Sequence, residues 1–151
     1  MNDLSITIKP YRETYREQVL GVWERSVRAT HHFVTAEDIE HFKLLVAGID
    51  FTAFDVFIAA GPGDRVAGFI GVAEQRIETL FLDPPFIGKG IGKLLMDHAM
   101  GELQAKEVEV NEQNLHAVAF YKKFGFRTYK RTEKDGEGKD YPLLKMRLER
   151  D

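Results

Sequence analysis

The segment Phe86-Ile87-Gly88-Lys89-Gly90-Ile91-Gly92-Lys93 sets three glycines at alternate positions, just ahead of an amphipathic run. Glycine lets a backbone come close to a ligand with its N–H groups bare. A helix that begins there points its positive end at the same place, so a phosphate or diphosphate is the natural guest. Lys89 and Lys93 add positive charge around it. A P-loop needs Gly-Lys-Ser/Thr after a four-residue gap, and Lys93 is followed by Leu94, so that reading fails. A dinucleotide fingerprint needs a third glycine where Lys93 or Leu95 stands. A glycine-rich turn with no ligand is the remaining alternative.

A second strip follows at Asn114-Leu115-His116-Ala117-Val118-Ala119-Phe120-Tyr121-Lys122-Lys123-Phe124-Gly125-Phe126. On a helix Asn114, Ala117 and Tyr121 share one face. A polar start, a small middle and a phenol at the end can lie along an extended ligand. Gly125 reads as the helix stop and Phe126 as the start of a strand. Lys122 and Lys123 read as solvated charge, with Lys122 or Lys123 in reach of a phosphate. Five histidines are present, but His31 and His32 diverge as neighbours, and His98 and His116 lack matching carboxylates, so no metal is expected.

These pieces need elements to hold them. Ile6 and Ile8 alternate with polar residues in a short strand ending at Pro10. Residues 11–29 carry Tyr15, Val19, Val22, Trp23 and Val27 at helical spacing. Thr35 with Asp38 resembles a capping box opening a second helix through Ile39, Phe42, Leu45 and Val46. Strands are predicted over Phe54–Ala60, Val66–Ala73 and Arg76–Leu82, with a turn at Gly61-Pro62-Gly63-Asp64. A helix to about Leu103, a strand Glu107–Val110, a helix Asn114–Phe124 and strands Thr128–Glu133 and Tyr141–Leu148 complete the chain. The order is β-α-α-β-β-β-α-β-α-β-β, an α+β plan with a largely antiparallel first half.

The 151 residues suffice for a single domain, 1–151, with its own core. A composition 44% hydrophobic and 30% charged is that of an ordinary globular protein. A net charge of -3 gives no bulk electrostatic reason to expect nucleic acid or an anionic membrane as partner. No apolar run approaches the roughly 18 residues of a spanning helix, and Met1 to Pro10 lacks a signal-peptide pattern, so a cytoplasmic location is expected. The chain has no cysteine, which removes disulfides, thiolate metal sites and any acyl-cysteine intermediate.

In this order the two motifs resemble those of the GNAT superfamily of acyl-CoA-dependent N-acetyltransferases. The family's Gln/Arg-x-x-Gly-x-Gly/Ala is matched by Ile87 to Gly92, and its Asn-x-x-Ala-x-x-x-Tyr-x-x-x-Gly-Phe by Asn114 to Phe126. The order of elements matches over the whole chain. Trp23-x-x-Ser26-Val27-x-Ala29-Thr30-His31 and Tyr141-Pro142-Leu143-Leu144 are similar to small bacterial members. Ile87 stands where the family usually has Gln or Arg. Backbone N–H groups supply most phosphate contacts in this motif, so weakened rather than lost coenzyme binding is expected.

The resemblance implies a twisted, mixed α/β sheet of seven strands flanked by four helices, and transfer of acetyl from acetyl-CoA directly to an amine. It places Leu80, Phe81 and Leu82 along the pantetheine arm, with the Leu82 N–H at the thioester carbonyl. It places Ile87, Gly88, Lys89, Gly90, Ile91, Gly92 and Lys93 at the diphosphate, and Asn114, Ala117, Phe120, Tyr121 and Lys123 along the rest of the coenzyme. Tyr121 is the expected acid for the departing thiolate. A phenol near ~10 is a weaker acid than a thiol near ~8.5, so the step needs a thiolate born close by and poorly solvated. An alkylamine near ~10.4 must lose a proton before it attacks. Glu109, Glu78 or a chain of water molecules takes it. Trp23, Arg28, His31, His32 and Phe33 are expected around the acceptor, a small molecule or a peptide. A non-catalytic acyl-CoA-binding module is the alternative, and a monomer or a homodimer the expected assembly.

Overall fold

The computed structural model describes residues 5–149. Eleven main elements follow in the predicted order: β1 (Thr7–Pro10), α1 (Arg16–Thr30), α2 (Ala36–Ala47), β2 (Asp55–Ala60), β3 (Val66–Ala73), β4 (Arg76–Leu82), α3 (Ile91–Gly101), β5 (Glu107–Asn111), α4 (Leu115–Lys123), β6 (Phe126–Thr132) and β7 (Leu143–Leu148). The seven strands form one sheet in the order β1-β2-β3-β4-β5-β7-β6. Only β4 and β5 run parallel.

Period-two alternation divides the core between the two faces of this sheet. Val56, Ile58 and Ala60 of β2 and Phe69 of β3 pack with Val19, Val22, Trp23 and Val27 of α1 and Ile39 of α2. Ala59 of β2 and Ile70 and Val72 of β3 point the other way, against Leu95, Met96 and Ala99 of α3 and Val118 of α4. Being covered on both sides makes β3 almost continuously apolar. Burying a side chain such as Ile70 completely contributes about 1.5–3 kcal/mol.

Local signals account for most boundaries. Thr35 accepts a hydrogen bond from the Asp38 N–H (3.1 Å) and caps α2 as its spacing predicts, a contact worth about 1 kcal/mol. Gly125, at φ +98°, ends α4 in the left-handed conformation. Helix α1 begins later than residue 11 because the Tyr11 N–H is still held by the Val56 carbonyl (2.8 Å). A short 3₁₀ turn at Glu13–Tyr15 intervenes. Strand β6 starts at Phe126, whose partner is Leu148. Strand β7 waits until Leu143, because Tyr141 turns inward to donate to Asp38 across 103 residues. Among the described residues no helix is long and apolar enough to cross a membrane.

Candidate active site

The parallel ladder between β4 and β5 stops almost as soon as it starts. Arg76 pairs with Glu107 and Ile77 with Val108, and there the register ends although β4 runs on to Leu82 and β5 to Asn111. The two strands therefore splay. Asp83 donates its N–H to the Ala67 carbonyl (2.8 Å), and Gly68 stands opposite Leu82. Antiparallel alternation then commits the Phe81 amide to β3 and turns the N–H groups of Leu80 and Leu82 onto the opening. Phe81 thus contributes a side chain rather than an amide.

Next to that opening lies the glycine loop. Gly88 (φ +81°) and Gly90 (φ +82°) occupy the left-handed region, where a side chain would be strained, and among the described residues no atom beyond their chain neighbours lies within 4 Å of where their Cβ atoms would be. Gly90 is the N-cap of α3, and no side chain caps the helix. The leading N–H groups of α3 are left without a side-chain cap among the described residues, which is the arrangement that holds an anionic oxygen. Lys89 is exposed, Lys93 pairs with Asp97 (2.7 Å) one turn on, and Ile87 is 41% exposed. Gly92 has a different duty, since a Cβ there would stand 3.3 Å from the Phe120 ring and 3.7 Å from Leu82. The end of β4, the start of α3 and the middle of α4 meet at this point.

Asn114 does not lie on the α4 face with Ala117 and Tyr121. Its backbone (φ -88°, ψ 77°) is not helical, and its Oδ1 accepts the Ala117 N–H at 3.1 Å, making it the N-cap. Tyr121 is buried among the apolar residues beneath α3 and α4, edge-on to Phe120 and Phe126. Burial pushes its phenol up, so it holds its proton far above neutral pH. Lys123 is exposed in the last turn of α4.

On the opposite face of the sheet is a cavity of about 340 Å³. Phe81 of β4 and Asn111 of β5 both line it, so it straddles the splayed strands. Trp23, Val27 and His31, spaced four apart along α1 and its end, form one wall, and Phe42, Leu45 and Val46 of α2 another. Asp135 and Tyr141 close it from the β6–β7 connection. Of the five residues expected around an acceptor, Trp23 and His31 line the cavity. Phe33 packs between the His31 and Tyr141 rings, at 5.3 and 6.2 Å between centroids. Arg28 is exposed and paired with Glu24 (2.9 Å) and Glu40 (2.6 Å), and His32 is exposed and outside the lining. The i, i+4, i+8 spacing of Trp23, Val27 and His31 was the available signal; Phe42 and Tyr141 gave none without knowledge of how α2 and the connection fold over.

His31 is the titratable group whose state the cavity changes most. Burial, then its neighbour His32, pushes it down to about 4, so the ring is neutral at pH 7. Glu78 and Glu109 are both held in ion pairs. Arg76 lies 3.0 Å from Glu78 and 3.9 Å from Glu109, and Lys145 is 3.3 Å from Glu109.

Asp83, which sequence reasoning treated only as the end of a strand, is fully buried directly after Leu82. Arg25 grips both carboxylate oxygens (2.8 and 3.1 Å) and Arg65 adds a third bond (3.2 Å). Burial pushes this carboxyl up, but the two guanidiniums outweigh it and hold it below its ordinary value. The cluster ties α1 and the entry to β3 onto the turn that leads from β4 to the glycine loop.

The acetyltransferase (GNAT) domain family matches residues 24–150, and the chain belongs to that family. It is similar to the peptidyl-lysine N-acetyltransferase YjaB of Escherichia coli, with 38% identity over 93% of this chain and 95% of the relative. The Salmonella typhimurium YjaB is 38% identical over 95% and 98%. The solution structure of apo-form YjaB from Escherichia coli superimposes with a TM-score of 0.86 at 37% identity, over 95% of this chain and 97% of that one. The PaiA N-acetyltransferase of Thermoplasma acidophilum, solved in complex with coenzyme A, shares the fold (TM-score 0.74, 22% identity, 96% and 99% covered). The protein is an N-acetyltransferase that moves acetyl to an amine, and the non-catalytic alternative is not favoured.

Proposed function

We propose that the protein transfers acetyl from acetyl-CoA directly to the ε-amine of a lysine in a peptide or protein, as a single domain in the cytoplasm. The observation that carries this reading is the splay. An apolar cavity opens onto it from one face, a buried tyrosine lies on the other, and an uncapped helix start flanked by glycines stands at its end. The four methylenes of a lysine side chain suit walls made of Trp23, Val27, Phe42 and Phe81, and the names of the relatives point to the same acceptor.

In this reading the N–H groups of Ile91, Gly92 and Lys93, reached over Gly88 and Gly90, hold the diphosphate, with Lys89 and Lys123 adding charge. The arm lies between β4 and β5. The Leu82 N–H faces the carbonyl oxygen as negative charge develops on it, a role worth about 3 kcal/mol in comparable sites. The amine nitrogen attacks the carbonyl carbon, the carbon–sulfur bond breaks, and Tyr121 gives its proton to the sulfur. Its apolar surroundings disfavour a thiolate as strongly as a phenolate, which removes much of the mismatch that exists in water. Glu78 and Glu109 are already matched to cations, and the proposal does not rest on them.

The test is to mix the protein with acetyl-CoA and a panel of lysine peptides, N-terminal amine peptides and small amines. Free thiol release is followed, and the modified atom is located by mass spectrometry. Modification of lysine Nζ is the expected result. Thiol release with small amines alone would overturn the lysyl assignment.

A further inference from the structure

Glu78 and Glu109 are neutralised by cations, which leaves open where the amine's proton goes. His31 stands in the wall of the cavity, its ring 6.5 Å from that of Phe81, the residue between the two amides that face the splay. Its contact with Thr30 bears on which nitrogen carries the proton. The Thr30 hydroxyl has one hydrogen and donates it to the backbone carbonyl of Ser26 at 2.7 Å, a partner that can only accept. With that hydrogen on the Ser26 carbonyl, the 2.8 Å contact between Thr30 Oγ1 and His31 Nδ1 runs the other way, with Nδ1–H donating. The imidazole is held as the Nδ1–H tautomer, leaving the lone pair on Nε2. That nitrogen makes no hydrogen bond among the described residues and is not among the fully buried unpaired atoms.

We infer that His31 Nε2 is the proton acceptor of the acyl transfer, oriented by the Thr30–Ser26 relay. The inference rests on the acyl-transfer reading given above. The amine enters the apolar cavity as its neutral fraction. When its nitrogen bonds to the thioester carbon, that nitrogen becomes positively charged and strongly acidic, and even a weakly basic imidazole can take one of its protons. The carbonyl electron pair moves to oxygen and returns as the carbon–sulfur bond breaks, and the sulfur receives a proton from Tyr121. His31 then releases its proton to water and Tyr121 regains one, so protons balance over the cycle. Thr30 is a positioning residue, since its oxygen accepts from Nδ1–H in both states of the ring and steadies the imidazolium.

The experiment compares wild type with His31→Ala, His31→Gln, Thr30→Val and Thr30→Ser. Steady-state kinetics use a lysine peptide and, in parallel, ethylamine, and acetyl-CoA affinity is measured by calorimetry. His31→Ala should lose about 100-fold in kcat, a normal share for a general base, with acetyl-CoA affinity unchanged. Added imidazole should restore several-fold of the lost rate. Thr30→Val should fall between, and Thr30→Ser should return to near wild type. A His31→Ala enzyme within twofold of wild type in kcat, or a loss confined to peptide KM with no imidazole rescue, overturns the assignment. If ethylamine is turned over and no peptide is, the lysyl reading fails while the ethylamine series still decides His31. If no amine is turned over, both fall.

Discussion

A methyl group on Gly92 would stand 3.3 Å from two carbons of the Phe120 ring, so the start of α3 and the middle of α4 are fitted to one another at this pair. The glycine loop and α4 are therefore mechanically joined. Gly92→Ala should push α4 away by a few tenths of an ångström, destabilise by about 1 kcal/mol and weaken acetyl-CoA binding. Gly90→Ala meets no atom but forces alanine to φ +82°, which costs about 1–2 kcal/mol of backbone strain. Calorimetric titration with acetyl-CoA alongside thermal melts checks both. Undiminished affinity in both variants would remove the loop from the binding site.

Tyr121→Phe removes one oxygen from a buried ring and nothing from the packing. Turnover should drop at least about tenfold, at the low end for a general acid, while acetyl-CoA affinity barely moves. Equal turnover would take the acid role from Tyr121.

Ile87 is exposed, so Ile87→Arg should fold normally. A guanidinium beside the bare N–H groups at the start of α3 should tighten acetyl-CoA binding about three- to tenfold, an effect that 0.5 M salt reduces. No gain at low salt would mean that the side chain at this position does not reach the coenzyme.

Asp83→Asn keeps the shape and removes the charge that two arginines share. Stability should fall by about 2–3 kcal/mol, or roughly 5–10 °C in the melting midpoint. Because the Asp83 carboxyl is held below its ordinary value, its stabilisation is present above the unfolded carboxyl range and is lost as pH falls through the folded value. The variant should therefore have a flatter acid limb. The KM for acetyl-CoA should rise as well, since the turn after Leu82 loses its anchor.

His31 carries a signature of the same sign in a higher pH range. Its ring is pushed from an ordinary 6.5 down to about 4, so between those values the unfolded chain binds a proton that the folded one refuses. Its contribution is intact above about pH 6.5 and lost as pH falls toward 4. His31→Gln should flatten that part of the melting profile. The other charged groups around the cavity, His32 beside the ring, Asp135 opposite and the Asp38–Lys139 pair behind Tyr141, are present in both proteins and cancel in the comparison. An unchanged profile would mean that the ring is well hydrated.

What could be read in the sequence follows the range of the interactions. Glycine spacing, the Thr35 cap and the Gly125 stop act within a few residues, and each left a mark that the structure repeats. The order of strands and helices was legible for the same reason. Asn114 was misplaced by one step, because an asparagine that caps a helix and one that lies on its first turn look alike in a spacing pattern. The Asp83 cluster joins residues 58 positions apart and the Tyr141–Asp38 bond residues 103 apart. Nothing local announces either. The splay was likewise invisible in the residues themselves, since both strands carry apolar residues beyond the point where their ladder ends.

That short ladder has a thermodynamic corollary. The β1–β4 side of the sheet is stitched to the β5–β7 side by the Arg76–Glu107 and Ile77–Val108 pairs, helped by the Gln75 carbonyl receiving the Lys106 and Glu107 N–H groups. A pantetheine arm lying in the wedge would supply the rungs that the protein omits. Donor at a hundred times its dissociation constant adds about 2.7 kcal/mol of cohesion. The folded population then becomes a readout of acetyl-CoA supply, and an enzyme starved of donor should come apart along this seam first.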